Sequence, residues 1–346
     1  ERAGGKWPQT EIFHPPPPSP TLAETRLLLE TSYRDRLAAL GGQMPENGRV
    51  RQENLVNLAD LLRRQGRFAE AEPYFRELLT YHKQRTPRDD KAALSAAKSL
   101  LSVYLALMRT ERESADPGRI ASYAQQADAL VSEVLAMMTQ STEANLSLKV
   151  AALQVWFGRD ADHLAMCRSL IEQAEKDSAN TLAVEHAAKA LCYSPSPDPA
   201  LLPRALHLAR LAADLETNKL QRGWYQQTLG MAEFRSGNDA AAEQAMLRSE
   251  EASEISSYGK PYLRTCIEGT GRFYRAMVLW RQGKDAEARK LFAEAEVLVP
   301  SLPNDPREVL LNGVDQDDLV FWLAYKEAKA QLQPPADTAP PEPAGK

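Results

Sequence analysis

The sequence predicts an all-α fold, a right-handed solenoid of about six or seven helical hairpins. Three observations carry this. Ala, Leu, Glu, Gln and Arg dominate while Val, Ile and Thr are sparse, and no stretch alternates apolar and polar residues as a half-buried strand does. Amphipathic helical periodicity runs almost unbroken between two proline-rich ends. One hairpin signature recurs three times in phase.

The elements follow in chain order. Residues 1–20 contain HPPPPSP (His14–Pro20), which lacks the amide donors of a helix and reads as a stiff linker. Helices are expected at 21–40, 50–65, 68–85, 90–110, 117–139, 143–157, 160–176, 179–192, 199–215, 220–236, 239–254, 262–282, 285–299 and 316–332. The first is either a cap or half of a degenerate repeat, and the last is the closing helix. Breaks between them carry turn chemistry: GG at 41–42, PG at 117–118, SPSPDP at 194–199 and PSLPNDP at 300–306. The Pro/Ala-rich 333–346 reads as a disordered tail. The chain thus divides into a linker (1–20), a helix plus hairpin (21–89), a divergent helical-repeat region (90–215), C-terminal repeats with the closing helix (216–332), and the tail.

The repeated segments are LADLLRRQGRFAEAEPYF (58–75), LGMAEFRSGNDAAAEQAM (229–246) and RAMVLWRQGKDAEARKLF (275–292). Each ends a helix in Arg-x-Gly: Arg64/Gly66, Arg235/Gly237 and Arg281/Gly283. An Ala follows at a fixed distance (Ala71, Ala242, Ala288), and one turn later a large apolar residue (Phe75, Met246, Phe292). Gly ends the first helix in a left-handed conformation. The small Ala lets the second helix approach, and the large residue fills the groove. This pattern resembles the tetratricopeptide repeat. The second copy adds that repeat's Leu229-Gly230 step, and the third reaches Pro300, where the repeat places its terminal Pro.

A narrower likeness covers the last part of the chain. EHAAKALCYSP (185–195), GWYQQTLGMAEFRSG (223–237), GTGRFYRAMVLWRQGKDAEARKLFAEA (269–295) and DDLVFWLAYKEAKAQL (317–332) occur in this order. The series resembles the C-terminal tetratricopeptide region of large bacterial serine/threonine protein kinases of the planctomycete type. The resemblance implies a non-catalytic module carried behind a kinase domain. The chain itself has no glycine-rich phosphate loop, Val-Ala-x-Lys strand, His-Arg-Asp loop or Asp-Phe-Gly.

Net charge is −5, so no bulk basic field invites nucleic acid or anionic membrane. The most apolar run, SLLSVYLALM (Ser99–Met108), stops at Arg109, short of the roughly 18 residues of a membrane span. Cys167, Cys192 and Cys266 are few, odd in number and far apart, which fits structural thiols in a reducing, cytoplasmic compartment. The chain starts at Glu1 without a signal-peptide pattern and looks like a piece of something longer.

First helices line the concave wall of such a superhelix, so Arg64, Arg235 and Arg281 could hold an acidic or carboxylate-ended peptide there. Alternatively, each complements the negative end of its own helix. The carboxylate-clamp subclass wants Lys and Asn where this chain has Val56 and Asp60, and is not supported. Trp224, Met231 and Phe234, with Phe273, Met277 and Trp280, recur at helical spacing. Exposed, they would form an apolar groove for a partner helix; buried, they pack the hairpins. The two tryptophans are the natural candidates for exposure. His14, His82, His163, His186 and His207 show no metal spacing, DQDD (Asp315–Asp318) sits where a helix cap is needed, and GTG (Gly269–Gly271) follows no strand. No metal, cofactor or catalytic residue is expected. The expected function is protein–protein interaction or scaffolding through a concave groove. The alternative is a sensor closing a pocket of Trp224, Phe273 and Trp280 around a small molecule or signalling peptide.

Overall fold

The computed structural model describes residues 21–41, 48–85, 89–114, 116–140, 146–195, 198–311 and 313–333. The linker at 1–20 and the tail beyond Gln333 lie outside these. Among the described residues there are fifteen α-helices, one 3-10 turn and no strand. The chain forms two compact units, Glu1–Pro117 and Gly118–Lys346.

The first unit holds α1 (Leu22–Leu40), α2 (Gly48–Arg64), α3 (Phe68–Gln84) and α4 (Asp90–Ser114), each packed on the next. Thr21 and Glu24 start α1 with a capping box: the Thr21 hydroxyl accepts from the Glu24 amide, and the Glu24 carboxylate accepts from the Thr21 amide. An ion network rather than an apolar seam ties α1 down. Arg67 donates to Glu30 at 2.6 Å, and Arg34 donates to Glu70 and Tyr74, each at 3.1 Å. Hydrogen bonding by Arg67 holds the Glu30 carboxyl below its usual value. Leu55, Leu58 and Leu62 of α2 face Phe75, Leu78 and Leu79 of α3 in a buried seam. Against expectation, Asp90–Arg112 is long and apolar enough to cross a membrane by length and composition. The helical stretch runs well past Ser99–Met108 in both directions, and much of it is buried inside the protein against α3.

The second unit holds α5 (Pro117–Thr139), α6 (Leu146–Trp156), α7 (Asp160–Lys176), α8 (Thr181–Cys192), α9 (Leu201–Leu215), α10 (Arg222–Arg235), α11 (Asp239–Glu251), the short α12 (Ser253–Ser256), α13 (Pro261–Arg281), α14 (Asp285–Glu296) and α15 (Gln316–Leu332). Here α6, α8, α10 and α13 are inner helices, each followed by a helix of an outer layer. The inner helices are buried on nearly every side.

Four hairpins share one backbone design. Gly66, Gly158, Gly237 and Gly283 all have φ between 64° and 79°. In each, the amide after the Gly donates to the carbonyl five residues back: Arg67 to Leu62, Arg159 to Gln154, Asn238 to Glu233, Lys284 to Leu279, at 2.7–3.0 Å. The α6–α7 hairpin is a copy that the sequence pattern does not display. Where the others carry Ala and then a large residue, it carries His163 and then Cys167, both buried. Large and small have changed places along one helix face, so the groove is filled from one turn earlier. His163 Nε2 lies 2.9 Å from the Ala190 carbonyl, which meets its polar need.

The closing helix does more than end the array. α15 packs on α13, α14 and α6, so the inner helices form a circuit: α6 on α8, α8 on α10, α10 on α13, α13 on α15, and α15 on α6. Asp315 and Asp318 cap α15, the role the DQDD spacing suggests. The GTG stretch serves packing: a Cβ on Gly269 would sit 2.3 Å from the Phe321 ring. On the α6 side, the Trp156 indole N–H donates to the Pro306 carbonyl at 3.0 Å, its ring lies 5.7 Å from that of Trp322, and Lys149 donates to the Val314 carbonyl.

Candidate partner-binding surfaces

The three signature arginines occupy one repeat position and meet three different fates. Arg64, at the end of α2, is exposed with no partner among the described residues. Arg235, at the end of α10, has only 4% of its side chain exposed. Its Nε donates to the Cys192 carbonyl at 3.0 Å, one amino group to Tyr274 at 3.2 Å, and both amino groups to Glu327 of α15. Burial works against its charge, yet Tyr274 and Glu327 outweigh it and hold the guanidinium's pKa above the ordinary value. Arg281, at the end of α13, lies between these extremes. It donates to the Phe234 carbonyl at 2.9 Å, reaches Asp239 at 3.4 Å and stacks 3.6 Å above the Phe234 ring.

Arg235 is therefore a structural clamp and not a peptide ligand, because α15 already supplies its carboxylate. Phe273 and Met277 are likewise corrected from wall to core: both are fully buried. Phe273 sits among Phe292, Phe321 and Tyr325, with ring centroids 5.5–5.7 Å away. Met231 and Phe234 are core residues too. Trp224 is half-buried, donating its N–H to the Ser256 carbonyl at 3.1 Å under the Lys189 ammonium, 5.0 Å from the ring centre. Trp280 is also half-buried, with Arg289 5.3 Å above its ring. Trp224 begins α10, Trp280 ends α13 and Phe273 is in the core, so the three line no common pocket.

On the inner wall of the second unit, then, α15 lies where a partner helix was expected. The first unit differs. Arg49, Glu53, Val56, Asn57, Asp60 and Arg64 form a stripe along α2 at helical spacing, and all but half-buried Asp60 are exposed. Two ion pairs hold part of it in place, Arg49 to Glu53 at 3.1 Å and Arg63 to Asp60 at 2.9 Å.

The sequence pattern missed two sets of charged residues. One is buried: Glu185 and Lys189 on α8, with Lys189 Nζ 3.7 Å from Glu185 and the Thr228 hydroxyl donating to the same carboxylate. The signal was there, an i,i+4 Glu/Lys pair in an otherwise apolar helix. The other is exposed. Lys219, Arg222 and Arg248 line a cleft of about 500 Å³ between the start of α10 and the end of α11. Burial pushes the Cys167 and Cys192 thiols up to about 12, so neither is a thiolate nucleophile.

Residues 55–85, spanning the later part of α2 and the whole of α3, match the tetratricopeptide repeat family. No curated protein matches the chain. Among solved structures, the crystal structure of BtubC (BKLC) from P. vanneervenii aligns with 83% of this chain and 96% of that one, at 15% identity and a TM-score of 0.27. A superposition that loose fixes no shared fold. The repeat match supports a tetratricopeptide-type protein, a class of helical repeat used in protein–protein interaction.

Proposed function

We propose that the chain is a non-catalytic protein–protein interaction module whose partner-binding wall is the α2 stripe of the first unit. One observation carries this reading: the α2 face stays open to solvent inside the matched repeat, whereas the equivalent face of α13 in the second unit is covered by Phe321 and Tyr325 of α15. The stripe mixes an apolar centre at Val56 with charges of both signs, which suits an amphipathic helix or an extended peptide. The second unit is then a rigid body that presents other surfaces and does not grip a ligand at its axis.

The series from 185 to 332 adds a context: a module placed beside a serine/threonine kinase domain, holding substrates or regulators near it and raising their effective concentration. The gene upstream of Glu1 tests that context directly, since a glycine-rich loop and a His-Arg-Asp loop would have to be encoded there. The wall itself is tested by affinity capture with the purified chain. Proteins retained by wild type and by Arg281→Glu, but lost with Val56→Asp/Arg64→Glu, are the expected result. Equal recovery by all three forms, with helical circular dichroism intact, would remove α2 as the wall.

A further inference from the structure

In the C-terminal repeats most cations are already engaged by the protein itself. Arg210 pairs with Glu233, Arg235 with Glu327, Arg264 with Glu254 and Glu268, Arg272 and Arg275 with Glu250. Lys219, Arg222 and Arg248 break this rule. All three are exposed, and none has a side-chain hydrogen bond or ion pair among the described residues. They nonetheless converge on one cleft of about 500 Å³, shared with Gln226, Glu251, Ala252 and Ile255.

The sequence brings them together through two helix ends. Arg222 opens α10 and Gln226 lies one turn on; Arg248 and Glu251 lie one turn apart at the end of α11, Ala252 joins it to α12, and Ile255 belongs to α12. Three cations face a single carboxylate, in a chain whose net charge is −5. Leaving such charges unpaired on a surface costs little in water, but three of them around one carboxylate leave a focused positive potential. Two further features say what it receives. Gln226, half-buried in the lining, adds an uncharged amide among the cations. Ile255 keeps 52% of its surface exposed beside the charges.

We infer that this cleft docks an acidic peptide segment of a partner protein. Its carboxylates lie against Lys219, Arg222 and Arg248, its backbone runs past the Gln226 amide, and an apolar side chain covers Ile255. A phosphate polymer would satisfy the cations but offers nothing to Ile255. The site is separate from the α2 wall and stands or falls without it.

The test is fluorescence anisotropy with the full chain and three labelled probes: a peptide of alternating Glu and Leu, its Gln-and-Leu counterpart, and a single-stranded RNA oligonucleotide. The expected result is that the Glu–Leu peptide binds tightest. Arg222→Glu/Arg248→Glu should weaken it roughly tenfold or more, and raising salt should weaken it too. Lys284→Glu, another exposed and unpartnered cation, should leave it unchanged. Absence of Glu–Leu binding, equal binding of the Gln counterpart, tighter binding of RNA, or an equal loss with Lys284→Glu would each overturn the inference. All these positions are on the surface, and circular dichroism verifies that the variants fold.

Discussion

Glu327→Gln tests how α15 is held. The substitution keeps the shape of the side chain and removes one charge, leaving the Arg235 guanidinium 4% exposed and without its counter-ion. At an effective dielectric of about 20 and a separation of about 4 Å, the lost attraction is about 4 kcal/mol. The Gln oxygen still accepts one of the two bonds that Glu327 takes, which returns about 1 kcal/mol. The expected loss of stability is therefore about 3 kcal/mol, within the range for breaking a buried pair. Replacing both partners, Arg235→Met with Glu327→Leu, should cost far less. Tyr274 remains to donate to the Cys192 carbonyl at 3.2 Å, so no buried acceptor is orphaned. Urea unfolding gives the free energies, and amide exchange along 316–332 shows whether α15 is the element released. A loss below about 1 kcal/mol for Glu327→Gln, or a double variant no better than the single, would refute the clamp.

Three further outcomes follow from the same geometry. Gly269→Ala drives a methyl into the Phe321 ring and should cost about 2 kcal/mol; Phe321→Leu in that background should restore part of it, measured by thermal unfolding. The exchanged pair in the α6–α7 hairpin predicts coupling: His163→Ala and Cys167→Phe should each destabilise by about 2 kcal/mol alone, one by cavity and one by overpacking, while the double variant recovers at least about 1 kcal/mol. Asp317 lies near Lys189, Asp315, Asp318 and Glu185, and burial raises its pKa from the usual carboxylate value to about 6. A raised folded pKa means that the unfolded chain ionises first, so this residue loses stability for the fold as pH rises from about 4 to about 6. Asp317→Asn should then stabilise by about 1–2 kcal/mol at about pH 7, discounted for the residue's partial exposure, and by nothing at about pH 4.

How much of this was legible depended on the range of the forces involved. Helix positions were close to plain reading, because periodicity and turn chemistry are local: 117–139, 160–176 and 316–332 agree at both ends with α5, α7 and α15. The segment 239–254 hid a break, since Ala252 separates α11 from α12 without Gly or Pro to mark it. Hairpins were legible wherever a small residue preceded a large one, and invisible at His163/Cys167, where the same volume is distributed in the opposite order. The site was the least legible part. Arg64, Arg235 and Arg281 are equivalent within their repeats, and no local rule separates them. What sets Arg235 apart is a helix beginning at Gln316, whose Glu327 covers it. Likewise, nothing around Lys219, Arg222 and Arg248 in the sequence announces that two helix ends bring them to one cleft.

The contact of α15 with α6 also bears on how the second unit comes into being. An open array of repeats can begin to fold anywhere and grow one neighbour at a time. Here Lys149 meets Val314 and Trp156 meets Pro306 across some 150 to 165 residues of chain. Closing so long a loop is slow, because its entropy is spent before the contact rewards it. During synthesis, the inner helix that emerges first must keep its apolar flank unsealed until the last one has left the ribosome. The unit is then expected to lock as a whole rather than repeat by repeat, with its C-terminal residues deciding the moment.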